Sequence, residues 1–113
     1  MIEKYEFGKM NINGRVYRDD LKIFPDKIKA DWWRDKGHLL QTQDIEDVIS
    51  FHPNFLVIGQ GYNGNMKIDA DVKKKLEDEG IQFNASNTRE VIHVFEKKRE
   101  NNENVVGIFH LTC

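Results

Sequence analysis

Two hydrophobic rhythms divide the chain. In residues 2–24, short apolar clusters are interrupted by turn residues. Ile2, Tyr5 and Phe7 mark a first strand without strict alternation, and Gly8-Lys9 turns the chain. Asn13-Gly14 is the strongest short hairpin signal, because both residue types tolerate the positive φ of a two-residue turn. It predicts a hairpin joining 9–12 to 15–18. Asp19-Asp20 breaks the pattern, and Leu21-Lys-Ile-Phe24 follows as a strand ending at Pro25. The N-terminal third is therefore predicted to be an antiparallel β layer.

Further along, the period lengthens. Ile45, Val48 and Ile49 share one face of a short helix at 44–51, with Thr42 or Asp44 as its cap and Pro53 as its stop. Phe55-Leu-Val-Ile58 lacks polar alternation, which predicts a strand buried on both faces. A second helix is predicted at 70–79, with Asp69 as N-cap, Val72 and Leu76 as its apolar stripe, and Gly80 beyond its end. Residues 81–83 read as a strand. Asn87 or Thr88 then opens a third helix, with Glu90 at capping-box spacing from Asn87 and Val91, Ile92 and Phe95 on its buried face. Residues 96–104 form its solvated end and a turn, and 105–111 close the chain as a strand. Strands alternating with helices imply a sheet with parallel pairs, covered by helices. Only 25–43 resists this reading. It is expected to be an ordered loop or short strand in which Trp32 and Trp33 point opposite ways, one into the core and one over a neighbouring surface.

Composition narrows the function. With 113 residues, 39% of them hydrophobic and 32% charged, the chain fits one domain, residues 1–113, with a modest core. The net charge of −2 argues against nucleic acid as a partner, and the lysine runs at 73–75 and 97–99 sit beside acids on predicted helices. A single cysteine, Cys113, excludes an internal disulfide and a cysteine-based zinc cluster. No apolar run approaches a membrane span, and the first residues carry neither a secretory nor a mitochondrial pattern, so a cytoplasmic location is expected.

The most informative stretch follows the buried strand: Gly59-Gln-Gly61-Tyr-Asn-Gly64. Glycines there let the backbone turn sharply and approach another segment or a ligand. The spacing invites a dinucleotide reading, with pyrophosphate at a helix N-terminus. Against it, Asn65-Met-Lys-Ile separates the motif from the helix cap at Asp69, and Asn84 stands where the ribose-binding acid is expected. The chain is also short for the full dinucleotide fold. Among the histidines, His38, His52, His93 and His110 show no spacing that would imply a metal. His52, at a helix end before Pro53, reads as solvated, and His93, between apolar helix positions, reads as lying on the helix flank. His110 reads first as a hydrogen-bonded structural histidine. His38, after a glycine and near two tryptophans, is the best general acid–base candidate. Ser86 lacks a nucleophile-elbow context, and Cys113 reads first as a packed or inert end, with a reactive thiol as the alternative.

A resemblance runs through nearly the whole chain. It rests on Tyr17-Arg-Asp19, Phe24-Pro25, Trp33-Arg34, Gly37-His38, Leu56-Val-Ile-Gly-Gln-Gly61, Thr88 at a helix start and Gly107-Ile-Phe-His-Leu-Thr-Cys113. These segments resemble the family of the adipogenesis-associated Mth-domain protein, the mitochondrial complex I assembly factor of the alpha-subcomplex type (factor three), and many short archaeal and bacterial proteins of unknown function. The resemblance implies a three-layer α/β domain with a central mixed sheet, flanking helices and an additional N-terminal β layer. It implies no established enzymatic activity.

The leading expectation is a small protein that works by binding a protein partner, an assembly or accessory factor without catalytic residues, cofactor or metal. The alternative is a small-molecule or nucleotide-binding enzyme whose pocket uses Gly59, Gln60, Gly61, Asn63, His38 and His110. At this level the choice between binding protein and enzyme stays open.

Overall fold

The structure is a computed structural model that describes residues 1–113. Strands β1 (Ile2–Glu6), β2 (Lys9–Ile12) and β3 (Arg15–Tyr17) form an antiparallel three-stranded sheet. Its second turn is at Asn13-Gly14, where both residues have positive φ, 50° and 82°. The chain continues through β4 (Leu21–Phe24), β5 (Lys27–Lys29), β6 (Leu39–Leu40), a 3-10 turn at Thr42–Ile45 and α1 (Glu46–Phe51). It ends with β7 (Phe55–Gln60), β8 (Lys67–Ile68), α2 (Ala70–Asp78), β9 (Gln82–Ser86), α3 (Thr88–Glu100) and β10 (Val105–His110).

Five strands make the central mixed sheet, in the order β5-β4-β10-β7-β9. Strands β7, β9 and β10 run parallel, while β4 and β5 add antiparallel to β10. Expectation and structure part at β4. It belongs to the central sheet and not to the N-terminal layer, because all four of its residues are buried, two on each face. A strand buried on both faces needs cover on both sides.

Smaller differences have local causes. Gln41, not Thr42 or Asp44, precedes the turn into α1, and the Asp44 carboxylate accepts from its N–H at 2.7 Å. β7 runs two residues beyond 58, so Gly59 and Gln60 are strand residues, Gly59 paired on both sides. Within 25–43 the short strands are β5 and β6, on either side of the tryptophan segment, and β8 has no signal in the sequence; each has only two or three residues, too few to show a period. α3 starts as anticipated, with the Asn87 carboxamide oxygen accepting from Glu90 N at 3.0 Å.

The sheet separates two cores. On one face Leu56, Ile58, Val106 and Ile108 meet Ile45, Val48, Val72 and Leu76 from α1, α2 and the turn before α1. On the other, Val57, Val105, Phe109 and Ile23 meet Val91 and Phe95 of α3 and Met10 and Ile12 of the N-terminal sheet. Phe95 and Phe109 touch edge to face at 5.6 Å between ring centroids. The crossovers thus lie on opposite faces, α2 after β7 and α3 after β9. In parallel sheets such a reversal opens a crevice beyond the carboxyl ends of the strands.

Candidate functional site

That carboxyl end is where the chemistry-bearing residues gather. Leu21 pairs with Phe109 across the β4/β10 ladder, so the preceding Asp20 falls beside His110 and Leu111. Its Oδ1 accepts from Leu111 N at 2.7 Å, and its Oδ2 lies 2.6 Å from His110 Nδ1 and 2.8 Å from Arg34 Nη2. Asp20 O also accepts from Trp32 N at 2.8 Å, which ties the tryptophan segment to the same point. Arg34 is 3% exposed and His110 7% at the side chain. Burial alone would raise the Asp20 carboxyl, but the bonds from His110, Leu111 and Arg34 outweigh it and hold the group below its ordinary value.

The hydrogen-bond count identifies the His110 tautomer. Arg34 Nη2 has two protons, and both have acceptors at 2.8 Å: Asp20 Oδ2 and Gly37 O. Its 3.1 Å approach to His110 Nδ1 is therefore not a donation. Nδ1 carries a proton and gives it to the Asp20 carboxylate, an acceptor only. In the neutral ring Nε2 then bears the lone pair, and it is buried with no partner. Arg34 Nη1 is likewise buried and unpartnered.

Across from this ring stand two more groups. His38 is exposed just before β6, and its carbonyl accepts from Lys67 N at 2.8 Å. Cys113 Sγ lies 3.3 Å from His38 Nδ1, and the His38 and His110 imidazoles meet edge to face, 6.2 Å between centroids at 80°. One ligand atom from each of His38, His110 and Cys113 falls within 4.8 Å of the others.

The glycine segment behaves differently. A Cβ on Gly59 would lie 2.6 Å from Thr88 Oγ1 and 2.9 Å from Phe109 Cδ1. Gly61 has φ +103°, and its Cβ would lie 2.3 Å from Thr112 O and 3.0 Å from His110 Cδ2. Thr88, fully buried, locks the turn: its hydroxyl donates to His110 O at 2.7 Å and accepts from Gly61 N at 3.1 Å. Thr88 thus closes on Gly61 from the β9 side, and the chain's own Thr112 segment takes the space over Gly61 on the β10 side, its carbonyl accepting from Tyr62 N at 3.1 Å. Gln60 is turned to the loop, its carboxamide donating to Met66 O at 2.8 Å, and Asn63 is exposed at the tip. Of the six anticipated site residues, His38 and His110 come together, with Gly61 against the His110 ring. Gln60 sits opposite His110 in register, whereas Gly59 faces Thr88 and Asn63 stands apart at the loop tip.

Asp20, Arg34 and Thr88 are the members that the amino-acid pattern did not mark as site residues, and Cys113, read there first as an inert end, joins them. Asp20 reads only as a strand breaker, and its role depends on a pairing register formed with a strand 90 residues away.

A family model described as "Protein of unknown function (DUF498/DUF598)" matches residues 2–110. The chain belongs to that family. Solved structures show the same fold. A conserved hypothetical protein, PH1505 from Pyrococcus horikoshii, is 24% identical with TM-score 0.86, the match covering 100% of this chain and 99% of that one. MT938 is 22% identical with TM-score 0.77, covering 100% and 98%. A Mth938-like domain from Bordetella pertussis is 12% identical with TM-score 0.72, covering 98% and 85%. At these identities the likeness concerns fold alone, and the α/β arrangement with its central mixed sheet is the one these solved structures share. No helix is long and apolar enough to cross a membrane.

Proposed function

We propose that this DUF498/DUF598 chain is a non-catalytic binding module, one domain over 1–113, that docks a protein partner through the tryptophan segment. The observation that carries the reading is Trp33, whose exposure is 75% between Trp32 at 8% and the buried Arg34 side chain. Lys22 Nζ and Arg34 Cζ each lie 4.7 Å from the Trp32 ring centre, and Arg34 is tied to Asp20. An exposed indole on so restrained a backbone loses little entropy on binding, the usual property of an anchor residue. The shallow concavity beside it is lined by Asp35, Asp44, Glu46, Asp47 and one lysine, Lys22, which pairs with Asp47, so acids remain in excess. Its charge suits a partner that presents a basic segment. A cytoplasmic accessory role, like that of the assembly-factor members the sequence resembles, is consistent with this face, and the net charge of −2 disfavours nucleic acid.

The alternative, a small-molecule or nucleotide-binding enzyme at the 59–64 loop, draws its support from the Asp20–His110 pair. The packing of Gly59 and Gly61 weighs against it, since the backbone occupies the space a ligand would need. A photocrosslinking residue at position 33, with position 52 at the far end of β7 as control, separates the two. Binding predicts a discrete protein adduct from position 33 only, at basic sites of the partner. Metabolite turnover by the pure protein that vanishes with His110→Gln, or adducts of equal yield from both positions, would overturn it.

A further inference from the structure

We infer that His38, His110 and Cys113 form a three-ligand site for a borderline divalent transition ion of the Zn2+ class. The argument starts from lone pairs. In the neutral ring His110 Nδ1–H donates a hydrogen bond to Asp20, so Nε2 offers a lone pair, is buried, and meets no donor. Its neighbour in the ring, Cδ2, lies on the Gly61 and Cys113 side. Nε2 is thus on the edge turned away from Asp20. The other two groups that converge there, a His38 ring nitrogen and Cys113 Sγ, are also electron-pair donors. Three such donors within 4.8 Å of one another attract a Lewis acid and repel an anion. Left alone, a buried acceptor without a partner is destabilising, and a bound cation would relieve it.

The donor set selects the ion. Imidazole and thiolate together favour Zn2+ over the oxygen-seeking Mg2+ and Ca2+. Tetrahedral zinc, with bonds near ~2.0–2.3 Å, needs ligand atoms about 3.3–3.7 Å apart. The Cys113–His38 pair is already at 3.3 Å. His110 is the fixed member, and exposed His38 and half-exposed Cys113 can close on it. The surroundings fit as well. A ligand histidine whose second nitrogen donates to a carboxylate is the common support of a metal centre, and Asp20 supplies it at 2.6 Å. Three protein ligands leave a fourth position open. This site goes beyond the docking face at Trp33 and stands or falls separately from it.

Co2+ is the direct probe, because a bound thiolate gives a near-ultraviolet charge-transfer band and tetrahedral coordination gives intense visible bands. Chelator-treated protein titrated with Co2+ is expected to develop both at one equivalent and to lose them on adding Zn2+. Cys113→Ser should remove the charge-transfer band. Asp20→Asn, which weakens the support of His110 and also leaves Arg34 without its ion-pair partner, should keep the band and weaken Zn2+ binding by about 10- to 100-fold in protein that circular dichroism shows to be folded. His38→Ala, at an exposed position where folding is not at stake, should weaken it further. Absence of the thiolate band would overturn the site, as would Zn2+ affinity unchanged in both His38→Ala and Cys113→Ser. The latter result would assign the binding to surface groups such as His52 and His93.

Discussion

The turn at Gly61 and the Asp20–Arg34–His110 cluster meet at the same end of the sheet, with the Gly61 backbone against the His110 ring, yet they use that position in opposite ways. At Gly61 every valence is spent internally. Its N–H goes to Thr88 Oγ1, its carbonyl accepts from Thr88 N, and its α-carbon faces Thr112 O with no room for a methyl group. In the polar cluster, charge is neutralised but capacity remains, since His110 Nε2 and Arg34 Nη1 have no partners. A segment whose polar groups and volume are fully committed is architecture. One that keeps spare donors and lone pairs at a surface-near point has something left to bind. The glycine segment holds the floor on which the polar cluster stands.

The sharpest way to break the polar half is Asp20→Ala. It leaves the buried Arg34 guanidinium uncompensated, and removing one member of a buried pair costs roughly 3–5 kcal/mol. Chemical denaturation at neutral pH measures it. The sign with pH follows from the held-down carboxyl. Its folded value is below the ordinary 3.8, so its stabilisation is present above that value and is lost as pH falls through the folded value. The wild-type protein should therefore lose stability on acidification below about pH 4 by more than the Asp20→Ala variant does.

Gly61→Ala breaks the packed half. A non-glycine residue at φ +103° is strained by about 1–2 kcal/mol. Forcing a methyl group toward Thr112 O adds the roughly 1–3 kcal/mol typical of overpacking. The sum, about 2–5 kcal/mol, should appear as a lower denaturation midpoint with an unchanged slope. A stable Gly61→Ala protein would mean that the turn has room, and would restore the pocket reading of 59–64. Thr88→Val sharpens the comparison, because Thr88 is the hinge between the halves. The change keeps the shape but strips the partner from Gly61 N–H and the donor from His110 O. About 1–3 kcal/mol should be lost, and the Gly61 amide should exchange with solvent faster than its neighbours.

These contrasts explain what could be read from residues alone. The strand at 55–58, the caps at Asp69 and Asn87 and the hairpin at Asn13-Gly14 express local rules, in which a few neighbouring residues decide the backbone. Each is present. Glycines 59 and 61 announced a close approach, and one exists, but the partner is the chain itself. β4 is misplaced in the sequence reading because Leu21-Lys-Ile-Phe24 looks like a half-exposed strand, its lysine standing where solvent would be. Lys22 is in fact buried, with its ammonium on Asp44 O at 2.6 Å and Asp47 Oδ1 at 2.8 Å. The same misplacement hides the site. Once β4 lies beside β10, Asp20 must fall next to His110, and no property of either residue's neighbours in the sequence encodes that meeting.

Trp33→Ala lies outside both halves and should have the smallest effect on stability. The indole is exposed, and the contacts that hold its segment are made by residues either side, through Trp32 N to Asp20 O and Arg34 to Gly37 O. Surface substitutions without buried partners stay within about 0.5 kcal/mol, so thermal denaturation should be nearly superimposable on wild type. The same variant should abolish the protein adducts expected from this face, measured with the crosslinker moved to position 35. Removing a central aromatic anchor commonly costs about 2 kcal/mol or more of binding, roughly a thirtyfold loss. Unchanged stability with lost association would separate display from structure. If Trp33→Ala instead melted the protein, the indole would belong to the fold, and Phe7, at 59% exposure and edge-on to Tyr62, would become the better anchor.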